Sequence, residues 1–498
     1  MRMALAAMCV LGGPGVAAAA EKPNILFIFD DQHRKEATSC YGGTNIQTPN
    51  IDRLAREGMK FTNALSPTPL CTPYRGMLIT GKFPTHSGLL VNFVNPQRNE
   101  RGIADVFQQA GYHSGFIGKW HLTSSVLTYH TMIEGRERPH APALDEPEYV
   151  PPGRGRLGFE YWAAFNFHMN FRQGFYYRDK PAREVYPDYE AEWMADDAIE
   201  FLKRHKASDR PFFLMVAPHY PHPMWRGEQD VPREALAAVP KAVKLRPNSK
   251  QTLPFEVEAF DGRSLLTLEE VRTYYAMCVN VDKNLGRILD CLDRTGLAAN
   301  TIVVFTTDHG EQLGSQGRRC KLVPFEESIN IPLLIRWPGH VKPGAVSDAL
   351  YTPVDHMPTL CSLAGIARPN DLDGIDLAGE VLQSAHAQRD DVLIANYVSS
   401  ANFCRSDRIE LQWRGVRSKT HTYVKYLDGS ELLFDNIADP YQMKNCIGDQ
   451  GHRRLAESMR RRLQQLLAAA HDDLLPGTHY ADWYDETRTV IRTGKGKL

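Results

Sequence analysis

The chain has 498 residues, 43% hydrophobic and 23% charged, which is ordinary for a soluble globular protein and long enough for a large core and more than one domain. A formal net charge of −1 excludes any whole-chain pull toward nucleic acid or anionic membrane. Anion binding has to come from local clusters.

The first twenty residues differ from the rest. Arg2 is a thin positive start, and Met3 to Val16 is apolar but interrupted by Gly12, Gly13 and Pro14. Ala17 to Ala20 supply small residues before Glu21. This reads as a secretory signal peptide over residues 1–20 and predicts a periplasmic or secreted protein. It is too short and broken for a membrane span, and no other stretch is long and apolar enough for one. Of the nine cysteines (9, 40, 71, 278, 291, 320, 361, 404 and 446), none forms a close C-x-x-C pair, which argues against a structural zinc site of that type.

Asn24 to Phe29 is a continuous apolar run that ends in Asp30-Asp31, the pattern of a strand buried on both faces. A helix begins at Asp52. In L-C-T-P-Y-R-G-M-L-I-T-G-K, Leu70 to Lys82, Pro73 suits a first helical turn and Gly81 suits a stop. Cys71 then lies at or just before a helix N-terminus, where backbone N–H groups favour an anion and lower a thiol's pKa. Arg75, one turn on, adds positive charge. A buried structural cysteine is the equal alternative on local sequence.

Gly115 to His121 ends an apolar run with a cation, Lys119, two residues before an imidazole, His121. Phe159 to Tyr177 holds nine aromatic residues together with His168 and Arg172. These rings and basic groups suit a pocket wall or, equally, a packed cover over the core. Pro211 to Val216 is another buried strand, followed by His219 and His222 in a proline-rich loop. Leu268 to Asp293 is the longest helix, opened by a capping box of Thr267 and Glu270. Thr301 to Thr306 repeats the buried-strand pattern and ends in Asp308-His309-Gly310. Lys321 follows in a basic run, and Ile331 to Ile335 is a further strand.

Strands alternating with helices predict an α/β fold, a large mixed, mainly parallel sheet flanked by helices. Reactive residues in such sheets gather beyond the carboxyl ends of the strands. Two doublets there, the carboxylates Asp30-Asp31 and the carboxylate-imidazole pair Asp308-His309, suit a hard divalent cation; the other reading is that each caps the following loop. From residue 383 the texture changes. Tyr423 to Asp435, with an Asp-Gly turn, reads as a hairpin, and a last helix carries Leu455, Met459, Leu463 and Leu467 on one face with a solvated Arg460 to Arg462 run. The predicted division is a catalytic domain over 21–382 and a smaller C-terminal α+β subdomain over 383–498.

Together these blocks resemble the formylglycine-dependent sulfatases of the alkaline phosphatase superfamily. The likeness runs through P-N-I-L-F-I-F-D-D, T-P-N-I-D-R-L-A-R-E-G-M-K-F-T-N-A, C-T-P-Y-R-G-M-L-I-T-G-K, G-Y-H-S-G-F-I-G-K-W-H-L, T-I-V-V-F-T-T-D-H-G-E and E-L-L-F-D-N-I-A-D-P-Y-Q-M-K-N. The resemblance implies that Cys71 is oxidised by a maturation enzyme to Cα-formylglycine. It implies that Asp30, Asp31, Cys71, Asp308 and His309 hold a metal, usually Ca²⁺, with Mg²⁺ the other candidate. Arg75 then holds the formylglycine hydrate, Lys119 and Lys321 bind sulfate, His121 neighbours the formylglycine, and His222 is the leaving-group acid, with His219 as the alternative or a substrate contact. His168 and Arg172 are further candidate substrate contacts. Tyr74 stands where the family usually has Ser, and Gln316 where relatives often have His.

The implied activity is hydrolysis of sulfate monoesters, on a carbohydrate or on a small aryl or alkyl sulfate. Its rivals are a phosphonate monoester or phosphodiester hydrolase of the same superfamily, a non-catalytic binding protein with unconverted Cys71, and a zinc-dependent phosphatase using Thr72.

Overall fold

The computed structural model describes residues 21–124, 146, 148–258, 264–399 and 408–498. The expected signal peptide and Cys404 lie outside these. Eight strands form the main sheet: β1 (Asn24–Asp30), β2 (Met59–Leu65), β3 (His113–Lys119), β4 (Tyr161–Phe165), β5 (Phe212–Ala217), β6 (Thr301–Thr307), β7 (Asn330–Arg336) and β8 (Ala345–Tyr351). Their order is β8-β2-β7-β6-β1-β5-β3-β4. Only β7 runs against the rest. The expected strands recur to within a residue or two.

β1 shows why its apolar run is unbroken. Ile25, Phe27 and Phe29 enter one core, and Leu26 and Ile28 enter a second on the opposite face. Strand side chains alternate, so a strand covered on both faces has no place for a polar residue until it ends. The first face is covered by α2 (Cys71–Thr80) and α5 (His356–Leu363), through residues such as Tyr74, Leu78, Met357 and Leu360. The second is covered by α1 (Pro49–Glu57), α3 (Glu190–His205) and α4 (Leu268–Thr295). α4 opens on the expected capping box, with the Glu270 N–H donating to the Thr267 side chain.

A second, antiparallel sheet contains β9 (Asp391–Asn396), β10 (Trp413–Ser418), β11 (His421–Tyr426) and β12 (Glu431–Asp435). The last two strands form the predicted hairpin around Gly429, whose φ of +91° only glycine accepts without strain. α6 (Arg453–Ala469) lays Met459, Leu463 and Leu467 on one face of this sheet, with Leu455 partly buried beside them. The other face packs Val392, Ile394, Trp413 and Val424 against Leu65, Ile329 and Leu350 of the main body. Arg460 and Arg462 pair with Glu431 and Asp391 at the surface. The chain's last segment returns to the main body, where Trp483 and Val490 join the first core and Tyr484 donates to the Gly88 carbonyl.

Candidate active site

The site forms where β1 and β6 end and α2 begins. Leu70 is extended (φ −151°) and carries no capping side chain. Asn92 supplies the missing acceptor, since its Oδ1 takes the Thr72 N–H at 3.0 Å. The Thr72 hydroxyl donates to the His121 carbonyl at 2.6 Å, which ties the helix start to the end of β3. Gly81 ends α2 in the left-handed conformation (φ +68°), its N–H returning to Met77. Cys71 is therefore the first residue of α2, pinned from both sides and 1% exposed.

Charged groups surround the thiol. Lys321 Nζ is 3.2 Å from Cys71 Sγ, His309 Nε2 is 3.4 Å away and Asp31 Oδ1 is 4.0 Å away. Donor atoms of Asp31, Cys71, Asp308 and His309 all lie within 4.8 Å of one another. Arg75 donates to Asp31 Oδ2 (3.1 Å), Asp308 Oδ2 (3.3 Å) and the Lys119 carbonyl (2.5 Å). Lys119 Nζ reaches Asp31 Oδ2 at 2.5 Å. Lys119 owes its place to Gly118 (φ +107°), where a Cβ would stand 2.4 Å from the Ala217 carbonyl oxygen.

Asp30 stands one step back. Its Oδ2 is 2.6 Å from His33 Nδ1, and its Oδ1 is buried with no hydrogen-bond partner among the described residues. Burial pushes Asp30 up, and burial together with the Asp31 charge pushes Asp308 up to about 7. Burial would raise Asp31 too, but Lys119 and Lys321 overcome it and hold that carboxyl well below the usual range.

Four imidazoles complete the site. His121 lies against Phe167 and Phe93, both at 4.7 Å between ring centroids. His219 and His222 are 4.6 Å apart by the same measure, and each offers a nitrogen within 4.8 Å of Asp31. Both ring nitrogens of His121 and of His219 are buried without a partner among the described residues. The Pro223 carbonyl accepts from His222 Nδ1 (2.8 Å) and the Gly310 carbonyl from His309 Nδ1 (3.1 Å), so each ring turns Nε2 inward as its free nitrogen. Burial, helped by the neighbouring lysines, lowers all four well below the ordinary histidine value.

Cys71, Arg75, Lys119, His121, His219, His222, Asp308, His309, Asp31 and Lys321 are thus brought together, with Asp30 behind them. His168 is buried nearby, its Nε2 bonded to the Phe175 carbonyl and its ring stacked on Phe165 at 3.9 Å. Arg172 is not brought in: it is half exposed and paired with Asp188 at 3.1 Å. Most of the aromatic stretch packs into core; Phe167 does not, and lies under Lys119 at 4.9 Å. Tyr74 is wholly buried in the first core, and Gln316 turns to the carbonyls of Tyr441 and Gln442.

Sequence reasoning passed over three groups. Gln32 (φ +69°) accepts from Lys321 Nζ at 2.7 Å and donates to Glu311, so it fixes that lysine. Glu190 accepts from the His219 N–H and is pushed up to about 8 by burial. Gln32 directly follows the acidic doublet and Glu311 ends D-H-G-E, which were available signals. Glu190 sits in the first turn of an ordinary helix and had none.

Residues 23–366 match the family profile described as Sulfatase. The chain belongs to the sulfatase family. Residues 314–469 of this sulfatase also match the profile described as N-sulphoglucosamine sulphohydrolase, C-terminal. An ulvan-active sulfatase of Formosa agariphila is 33% identical over 93% of the chain and 84% of its own length. An endo-4-O-sulfatase of Bacteroides thetaiotaomicron is 29% identical over 95% of each. A solved B. thetaiotaomicron structure, described for the metabolism of multiple glycosaminoglycans, superposes with a TM-score of 0.79 at 28% identity, over 91% of this chain and 97% of that one. The fold alone is shared with the phosphonate monoester hydrolase of Agrobacterium radiobacter, at 22% identity and a TM-score of 0.70, over 96% and 99% of the two chains. The fold is the alkaline-phosphatase type, and the sulfatase is a hydrolase of sulfate esters.

Proposed function

We propose that the sulfatase removes sulfate from a carbohydrate, with a formylglycine made from Cys71 and a divalent cation, Ca²⁺ or Mg²⁺, at the site. The observation that carries this reading is the buried ring of Lys321, His309 and Asp31 around Cys71 Sγ. Relatives named for ulvan and for N-acetylglucosamine-6-O-sulfate support the carbohydrate class. The apolar start of the sequence supports export to the periplasm or beyond.

The residues fit both groups. Asp31 and Asp308 offer hard oxygens, His309 an inward Nε2, and Asp30 a buried oxygen with no other use among the described residues. Two carboxyls of this set are raised by burial, the condition that a bound cation relieves. Cys71 stands in for the aldehyde, which when hydrated supplies a hydroxyl nucleophile and a route for sulfate to leave.

The chain's own residues do the rest. Lys119, Lys321 and Arg75, all buried, bring three positive charges to the sulfate oxygens, where such charges act strongly. Gln32 keeps Lys321 aimed at Cys71. His222, held through Nδ1–H by the Pro223 carbonyl, takes up a second proton on Nε2 as the imidazolium and delivers it to the departing alcohol oxygen. His121, with neither nitrogen engaged, takes a proton from the residue-71 group when sulfate is expelled. Cys71 is 1% exposed, so the maturation enzyme acts before this segment is packed.

Mass spectrometry of the tryptic peptide containing residue 71 tests the modification, and an alkylatable thiol in fully active protein would overturn it. Matched sulfate and phosphate esters test the substrate class. A strong preference for the phosphate ester would favour the phosphonate monoester hydrolase reading instead.

A further inference from the structure

The turn that joins β12 to α6 gathers three side chains of a different kind. Cys446, Asp449 and His452 are spaced by three residues. The last two bond back to the one before, the Asp449 N–H to the Cys446 carbonyl and the His452 N–H to the Asp449 carbonyl, both at 3.0 Å. The Cys446 N–H is fixed to the Leu433 carbonyl of β12 at 2.8 Å. This succession of short turns sets one donor per turn on the same side. The thiol sulfur, a carboxylate oxygen and a ring nitrogen lie within 4.8 Å of one another.

Two details single out this trio. His452 Nδ1 is buried with no hydrogen-bond partner among the described residues. It stands 3.6 Å from Asp449 Oδ2, too long for a hydrogen bond. Ligand bonds of about 2.0–2.3 Å to a tetrahedral ion put neighbouring donors roughly 3.3–3.7 Å apart, which matches that separation. The Asp435 carboxylate, whose Oδ1 takes the Ile437 and Ala438 N–H groups, feels the His452 ring electrostatically and adds negative charge near the trio.

We propose that Cys446, Asp449 and His452 form a Zn²⁺ site that staples the turn before α6 to the edge of the small sheet. A thiolate, an imidazole and one carboxylate suit zinc, whereas Ca²⁺ and Mg²⁺ call for an all-oxygen shell. On binding, the Cys446 thiol gives its proton to solvent and the imidazole binds through neutral Nδ1. Asp449 is held at 2.7 Å by the exposed Lys444 ammonium, which swings into water as the ion takes its place. One thiolate and one carboxylate then balance the dication. The site is remote in sequence from the catalytic cluster and independent of its chemistry.

The test uses the full chain in a Cys71→Ala background, so that no sulfur ligand comes from the active site. Chelator-stripped protein is titrated with Co²⁺ as the probe. A sulfur-to-cobalt charge-transfer band that saturates at one equivalent is expected, absent in Cys446→Ser and at least tenfold weaker in affinity in Asp449→Asn and His452→Gln. Zn²⁺ should compete the band away and raise the urea midpoint of the parent but not of Cys446→Ser. The absence of any such band, or its persistence in Cys446→Ser, would overturn the site. Asp449 is exposed enough for Asp449→Asn to fold as the parent does, so that variant decides the matter if Cys446→Ser is unstable.

Discussion

Arg417→Met is the most direct probe of the seam between the two sheets. Arg417 lies on β10, and its Nε and Nη2 reach Glu326 Oε1 and Oε2 at 2.8 and 2.9 Å. The two side chains are 2% and 11% exposed. Burial alone would raise Glu326, but Arg417, with Asn330 and Lys35, holds it at about 2. Against an ordinary value near 4.5 this is about 3 kcal/mol of preference for the charged form. Removing the arginine leaves a buried carboxylate without its cation, for which about 3–5 kcal/mol is the usual loss. Urea unfolding followed by tryptophan fluorescence should show a loss of that size at pH 7. Because the folded value lies below the unfolded one, the pair's contribution is present above about 4.5 and fades as pH falls toward 2. The penalty of Arg417→Met should therefore shrink toward pH 3. The Glu326→Gln/Arg417→Met double variant should recover at least half of the stability. Glu326 follows Lys321 by five residues, so KM for a sulfate ester should rise in the single variant. A loss below about 1 kcal/mol, or a double variant as unstable as the single, would refute the buried-pair argument.

On its proposed role in charge stabilisation, Lys321→Ala should lower kcat/KM for sulfate esters by roughly 10²–10³; steady-state kinetics beside urea unfolding separates lost activity from lost folding. Gly118→Ala forces a left-handed backbone on alanine and a Cβ onto the Ala217 carbonyl, so a stability loss of roughly 2–5 kcal/mol and loss of activity are expected; a stable, fully active variant would sink the claim that Gly118 places Lys119. His356 is packed edge-on to Phe27 at 4.8 Å, and burial lowers it to about 3. It stays neutral when folded but takes a proton below about 6.5 when unfolded, so folding stability falls as pH drops through that window. At pH 5 this amounts to about 2 kcal/mol, a slope that should be missing from His356→Phe in paired titrations at pH 7 and 5.

The sheet was legible because its strands are covered on both faces. Ile25 through Phe29 are apolar at every position, as a strand between two helical layers requires, and the first polar residue marks its end. The same rule exposed Asp30, Asp31 and Asp308, because carboxylates at the ends of such strands are conspicuous. β3 and β8 were harder. β3 carries glycines at 115 and 118 that weaken its apolar signal, and β8 alternates buried and exposed at one end as an edge strand does. Arg172 was a candidate by proximity to aromatic residues in sequence, but Asp188 holds it at the surface. Gln32 and Glu190 act through their neighbours, and nothing in their local sequence marks a side chain that works by positioning another.

The charge balance of the cluster explains why these residue types belong together. Asp30, Asp31 and Asp308 nearly cancel Arg75, Lys119 and Lys321, so the side chains alone offer little net attraction to an anionic ester. A divalent cation tips that balance positive, which is the condition for drawing a sulfate monoester into a buried site. The imidazoles add nothing to it at first, because burial and the lysines keep them neutral. An arriving ester moves His222 back toward protonation: its negative charge partly offsets Lys321 and Lys119, which lower the ring after burial does. In its proposed role as acid, His222 therefore holds a proton more readily with the ester bound than without it. That coupling follows from the placement of His222 beside Asp31 and the lysines, and it needs no movement of the backbone.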